Sequence, residues 1–362
     1  MIVKDEAHVI ERCLSSVKPL IAYWIIVDTG STDGTQDVIK RVLSDIPGEL
    51  HERPWKNFAE NRTEALQLAK DKADYALVID ADDALELAPG FSLPVLDHGA
   101  YAFRVEYADT IYYRPQLLRS SLDWRYEGVV HEAAVSDATC EPAILEGIVY
   151  RVHGGGGRSR DPDRYVRDAR LLEEALAKEP TNARNVFYLA QSYRDARMPT
   201  EALAAYERRA TMGGWNEQVY CALLQAAGLH EQLGHARELV WAAYLKAHHS
   251  RPTRAEALTE LARYCRIGGE MSLAFVFAQA AAEIPQPRDT LFVLESAYRW
   301  RALDELAVAA FYTGHLDIAA AASARLLTEG RLPAGEIERV TKNYQLVITQ
   351  KTDAPARPII GR

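Results

Sequence analysis

Three carboxylates crowd into "ALVIDADDAL", where Asp80, Asp82 and Asp83 follow the apolar run 76–79. On an extended tip, alternation points Asp80 and Asp82 the same way, a spacing suited to a hard divalent cation and the phosphates it carries. Like charges packed this closely are costly unless a cation or hydrogen bonds compensate them. A helix-capping Asp at either position is the plainer alternative. A second acid, Asp28, ends another apolar run in "IIVDTGSTDGT" and is followed by small, hydroxyl-rich residues as far as Thr35. In open parallel sheets ligands bind outside the carboxyl ends of the strands, so an acid there can face a ligand rather than the core. Between the two acidic tips lies "NFAENRTEALQLAK", a predicted helix with Asn61 and Arg62 in its first turns. An Arg so placed can reach a diphosphate or a base across the sheet edge; alone it would read as a surface charge.

The elements that must position these residues alternate over about the first 155 positions. Residues 1–3 form a strand stub, and 6–17 carry Val9, Ile10, Cys13, Leu14 and Val17 at helical spacing. A strand at 25–27, a helix at 35–43, a helix at 58–70 with Ala59, Ala65, Leu66 and Ala69 on one face, and a strand at 76–79 follow. Strand, helix, strand, helix, strand predicts a parallel α/β sheet. Residues 101–151 are β-rich, notably 101–107 and 144–152, and predict an appended antiparallel or mixed region. Gly154 to Gly157 then break the pattern, and from 163 to about 349 the chain is rich in Ala, Leu, Glu and Arg and predicted helical.

At 362 residues, 48% hydrophobic and 26% charged, the chain is long enough for two domains with full cores. No apolar run approaches the roughly 20 residues of a membrane span and no basic-plus-apolar leader is present, so the expectation is a cytoplasmic protein without a transmembrane segment. Cys13, Cys140, Cys221 and Cys265 show no CxxC spacing, which argues against a disulfide framework or a zinc site. The net charge of -9 sits entirely in the first part: residues 1–160 hold 17 Lys and Arg against 26 Asp and Glu. That excludes a basic nucleic-acid surface and suits a cation site, although a solvated acidic face explains most of those charges equally well.

In order and spacing, "MIVKDEAHVIERCLSSV", "IIVDTGSTDGT", "NRTEALQLA" and "VIDADD" resemble glycosyltransferase family 2, the inverting nucleotide-sugar enzymes of the GT-A fold. The resemblance spans about the first 150 residues. It implies a Rossmann-like nucleotide-sugar-binding domain, with Asp28 at the base or ribose, Arg62 on the donor, Asp80 and Asp82 as a DxD motif contacting ribose and Mn²⁺ or Mg²⁺, and a UDP-sugar as donor. Two departures stand out. The usual Arg-Asn pair is Arg62-Thr63 here, and the apolar residues that tend to precede the MIVK-like segment do not precede Met1, implying a short first strand or a start further upstream. No GxxxxGK[ST] or GxGxxG is present to support a phosphate loop.

Inverting transfer needs a carboxylate to deprotonate the acceptor while a metal stabilises the departing diphosphate. In "DWRYEGVVHEAA", resembling the G-x-x-H-E of some family members, Glu132 is the favoured base, with Glu127 and Asp123 behind it. His153, in "YRVHGGGG", resembles the late histidine with which many GT-A enzymes complete the metal shell beside Asp82. For His131 and His153, a hydrogen-bonded structural role is the competing reading.

In the helical part, "NVFYLAQSYRDARMPTEALAAYERRA" sets Ala190, Tyr193, Ala202, Tyr206 and Ala210 at spacings that resemble a tetratricopeptide unit, and two later segments repeat two helices about a Gly-containing turn. The expected architecture is a GT-A domain over 1–157, an all-α tetratricopeptide-like repeat domain over 158–350 and a tail over 351–362. The expected activity is metal-dependent transfer of a sugar from a nucleotide-diphosphate donor to a glycan or a protein or peptide acceptor, held by the repeats, with a homo-oligomer as a further option. Against it stand an interaction scaffold with a degenerate transferase domain, disfavoured by the intact Asp80 and Asp82, and a nucleotidyltransferase, which would show glycines in "VKDEAH". Trp215, Trp241 and Trp300 line an acceptor surface or, more simply, fill helix-pair cores.

Overall fold

The computed structural model describes residues 1–138, 140–157 and 161–353. The expected tail over 351–362 lies, beyond Asp353, outside the described residues. The chain forms two compact units, Met1–Met212 and Gly213–Arg362.

The first unit opens with β1 (Ile2–Val3), α1 (Ile10–Val17), β2 (Trp24–Asp28), α2 (Thr35–Val42), β3 (Gly48–Glu52), α3 (Phe58–Ala69) and β4 (Tyr75–Leu77). β1, β2 and β3 form a parallel sheet in that order, with Val3 opposite Asp28 and Asp28 opposite Glu52. β3 escapes sequence reading because "GELHE" is polar and begins with glycine; the Trp24 ring lies where a Cβ on Gly48 would stand. β4 does not join this sheet. It pairs antiparallel with the later strand β7 (Thr110–Arg119), Tyr75 opposite Arg119, so of the strands read from the alternation only the first two lie in the parallel sheet, and β3 is its third member. β1 contributes just two residues, and a cavity of about 1000 Å³ lined by Met1, Trp24, Tyr75, Leu77 and Phe103 lies between it and β4.

The β-rich segment comprises β5 (Ala84–Leu87), β6 (Ala100–Tyr107), β7 (Thr110–Arg119), β8 (Trp124–Glu127), β9 (Ala133–Ser136) and β10 (Ala143–Arg151). It is mixed as expected: β10 runs parallel to β6 and antiparallel to β5, β6 and β7 form a long antiparallel pair, and β8 and β9 make a separate hairpin. α1 joins the two sheets because its apolar positions recur at i, i+3, i+4 and i+7. Ile10 and Leu14 pack with Val3, Ile26 and Ile39, while Cys13 and Val17 pack with Ile79, Phe103, Val105 and Tyr150. Each such fully buried aliphatic side chain contributes about 1.5–3 kcal/mol.

The first unit ends with α4 (Arg164–Lys178), α5 (Ala183–Asp195) and α6 (Pro199–Thr211). Ala190, Ala202 and Tyr206 are fully buried, the small-aromatic complementarity the repeat spacing implied. The second unit is built from consecutive packed helices: α7 (Asn216–Gln232), α8 (Arg237–Ser250), α9 (Glu256–Ile267), α10 (Met271–Glu283), α11 (Ala302–Tyr312), α12 (Leu316–Thr328) and α13 (Ala334–Asp353). Trp300 packs against one of its cores, Trp241 lies beneath Arg237, and Trp215 is exposed. All four cysteines are free, and three are buried. No helix among the described residues is long and apolar enough to cross a membrane.

Candidate active site

The turn after β2 is built around Asp28. Its carboxylate is fully buried, and Oδ1 accepts from the Gly30 and Ser31 amides at 2.7 Å each. Gly30, at φ +103°, supplies a conformation that few other residues adopt. Oδ2 is buried and has no hydrogen-bond partner among the described residues, an acceptor left for something else. The polar side chains of the turn face the β1–α1 loop: Ser31 Oγ accepts from Asp5 N, Thr35 Oγ1 from Glu6 N, and Asp33 Oδ2 from Ala7 N. In return, Asp5 Oδ1 accepts from Thr32 N at 2.8 Å. "STDGT" thus braces the neighbouring strand end.

α3 supplies the basic centre. Asn57 caps it, accepting from Glu60 N while its own amide donates to Glu60 Oε1. Asn61 is fully buried, bonded to Pro54 O and Lys56 N, and holds the loop before the helix rather than facing a ligand. Arg62 reaches two acids at once: Nη2 donates to Asp80 Oδ1 at 2.5 Å, and Nη1 to Glu132 Oε1. Its guanidinium also lies 5.5 Å from the Phe58 ring centre and 5.7 Å from that of Tyr126. Thr63, which stands in the place of the expected Asn, accepts from Tyr126 N through Oγ1 and so ties β8 to α3.

Just beyond β4, Asp80 Oδ2 faces Arg114 Nη2 at 3.5 Å and the Tyr150 hydroxyl at 3.4 Å, and Tyr150 Oη accepts from Asp80 N. Burial pushes the Asp80 carboxyl upward, but Arg62 and Arg114 outweigh it and hold it below the ordinary carboxylate range. Arg114 and Tyr150 were missed in the sequence. An Arg inside the β-rich stretch "IYYRPQLLR" was the available signal.

Asp82 and Asp83 face the segment after β10. Asp82 Oδ2 accepts from Gly156 N, Asp82 O from Arg12 Nη2, and Asp83 Oδ1 from His153 N. A Cβ on Gly156 would stand 2.8 Å from Asp82 Oδ2, so glycine permits this approach. Burial, with Asp82 and Asp80 alongside, raises Asp83 to about 6. Burial, then Arg12 and Arg151, lowers the His153 imidazole below its ordinary value, which favours the neutral form. Among the described residues, no group of three or more His, Cys, Asp and Glu side chains could hold a metal ion. A carboxylate such as that of Asp82 and a neutral imidazole such as that of His153 are ligand types that Mn²⁺ or Mg²⁺ accepts alongside water and phosphate oxygens.

The three candidate bases are separated by their surroundings. Glu132 is nearly buried and held by Arg62. Glu127 pairs with Arg125 at an exposed position, and Asp123, 83% exposed, pairs with Lys70. Neither reaches Arg62 or Asp80 through any bond described, whereas Glu132, Arg62 and Asp80 form one chain. His131 stacks on Tyr188, with ring centres 4.3 Å apart and planes 13° apart.

Residues 1–96 match the model of the family described as glycosyl transferase family 2. The SPbeta prophage-derived glycosyltransferase SunS of Bacillus subtilis is 27% identical over 206 residues, covering 53% of this chain and 47% of SunS. A TPR repeat-containing protein of Synechococcus elongatus is 38% identical over 88 residues, covering 24% of this chain and 20% of that protein. The chain thus spans less than half the length of these relatives. Among solved structures, a thermophilic TPR protein of Thermus thermophilus aligns at a TM-score of 0.33 and 18% identity, covering 51% of this chain and 91% of that one.

Proposed function

We propose that the first unit transfers a glycosyl group, with inversion, from a nucleoside-diphosphate sugar, a UDP-sugar in the leading case, to a glycan or a protein or peptide acceptor. One observation carries the reading: just beyond β4, Arg62 joins a DxD-like acid, Asp80, to a nearly buried acid, Glu132, and at the carboxyl end of β2 a buried Asp28 oxygen has no hydrogen-bond partner among the described residues. The family 2 match over residues 1–96 supports it from the sequence side.

In this reading Asp28 accepts from the base or ribose, and Asp80, held by Arg62 and Arg114, faces the ribose. Arg62 is placed to meet the diphosphate. The acceptor hydroxyl oxygen attacks the anomeric carbon from the face opposite the diphosphate, whose bond to that carbon breaks. Glu132 takes the hydroxyl proton. Asp82 and His153 would hold Mn²⁺ or Mg²⁺, and the chemistry that ion supplies when bound is neutralisation of charge on the diphosphate. The helical repeats are the proposed seat of the acceptor or of a second copy.

The test is release of nucleoside diphosphate from a panel of UDP-, GDP- and TDP-sugars with Mn²⁺. Glu132→Gln should lose turnover while keeping donor affinity, and Asp82→Asn should lose Mn²⁺-dependent donor binding. An active Glu132→Gln moves the base to Glu127, Asp123 or another acid. Absence of both hydrolysis and thermal shift with every donor replaces the enzyme by an interaction scaffold.

A further inference from the structure

Glu132 follows the tip of the β8–β9 hairpin, where Glu127 pairs with Ala133 and residues 128–132 make the connection. This connection has an unfavourable backbone. Gly128 sits at φ +122° and His131 at φ +51°, a left-handed conformation that costs a non-glycine residue about 1–2 kcal/mol. A Cβ on Gly128 would crowd the Glu132 backbone at 3.2 Å. Such a connection keeps one shape only where its surroundings impose it.

The surroundings that do so belong to α4 and α5. Val130 is 3% exposed and packs with Ala169, Leu172 and Leu176 of α4 and with Val186 and Leu189 of α5. The His131 ring lies flat on Tyr188. Arg184 Nη2 donates to His131 O at 2.8 Å, and its guanidinium sits 4.9 Å from the Tyr188 ring centre. Apolar insertion, ring stacking and a charge-assisted hydrogen bond therefore grip the two residues immediately before Glu132. On its far side Glu132 meets Arg62, which in turn holds Asp80.

We propose that Tyr188 and Arg184 are positioning residues: α5 holds the hairpin tip so that Glu132 is presented to the acceptor in its reactive orientation. The first helix pair is thereby part of the transferase itself. The inference rests on the proposed role of Glu132, but the clamp can be measured without it. A displacement of about 1 Å at a reacting group costs up to about a hundredfold in rate, so loss of the clamp should be read mainly in kcat.

The experiment uses the full chain and the variants Tyr188→Ala, Arg184→Met and Tyr188→Phe. Hydrogen exchange of the Val130 to Glu132 amides should quicken about tenfold or more in the first two variants, with β1 to β3 unchanged, and should match the parent in Tyr188→Phe, which keeps the stacking ring. With the donor that turns over, Tyr188→Ala should lower kcat about tenfold to a hundredfold while donor KM stays within about twofold. In a Glu132→Gln background it should lower kcat no further. Unchanged exchange at the tip overturns the clamp, as does an unchanged kcat in Tyr188→Ala when Glu132→Gln is inactive. If Glu132→Gln is active, the assignment of the base fails instead, and the exchange result alone decides the clamp, as it does if no donor turns over.

Discussion

Arg62 is the residue on which the charges of the site depend. It holds Glu132, whose side chain is 4% exposed, and Asp80, whose other oxygen leans on Arg114. Removing one partner from a largely buried ion pair leaves its acid desolvated and unanswered, which is far more costly than the net worth of the pair. Arg62→Leu should therefore destabilise the protein by about 3 kcal/mol in urea denaturation. The double variant Arg62→Leu with Glu132→Gln should recover part of that loss, because the buried charge leaves with its partner. Asp28, Arg62 and Asp80 were legible in the sequence because acids at strand ends and an Arg in the first turns of a helix are positional signals, and Glu132 through the resemblance of its segment to G-x-x-H-E. Their mutual pairing was not. It depends on Glu132 arriving from 70 positions away, and spacing along the chain does not encode which charges meet.

At the scale of elements, the turn after β2 works as a brace. Ser31, Asp33 and Thr35 give the backbone amides of Asp5, Glu6 and Ala7 their partners, so the ends of β1 and β2 are held together before any ligand arrives. Burial alone would raise Asp33, but the Thr35 hydroxyl and the Ala7 and Thr35 amides prevail and hold its carboxyl below the ordinary range. A carboxyl depressed in the folded state adds stability above its unfolded value and loses it as pH falls through the folded one. The gap in thermal midpoint between the parent and Asp33→Asn should thus be widest near neutrality and close below about pH 4. A gap that persists in acid would show that the amide bonds, not the charge, carry the brace. α1 was legible from its apolar positions, and the repeat helices from alanine-rich periodicity. β3 was not, since its strand character comes from pairing with β2 rather than from its own polar sequence. β4 was seen as a strand but given the wrong neighbours, because apolar content marks a buried strand without saying which edge it joins.

For the whole molecule, the change of composition near residue 157 suggests a division there, yet the compact units divide after Met212. Composition reports secondary structure, and a helix pair that packs on a hairpin tip still reads as helix. A chain ending at Gly157 would strip the apolar neighbours from Val130 and leave the hairpin tip exposed. One ending at Met212 keeps every contact named around Glu132. Expressed alone, residues 1–212 should unfold cooperatively and show the parent's hydrogen-exchange protection at Val130, whereas residues 1–157 should bind a hydrophobic dye and lose that protection. Similar protection in the shorter chain would free α4 and α5 from any part in the site. The seating of Val130 also bears on descent. An exchange of genetic modules at the glycine run would separate the sheet region and its proposed site from the helices that hold its hairpin tip, so functional recombinants of this architecture should inherit the first helix pair together with the sheet region and vary only in the repeats that follow.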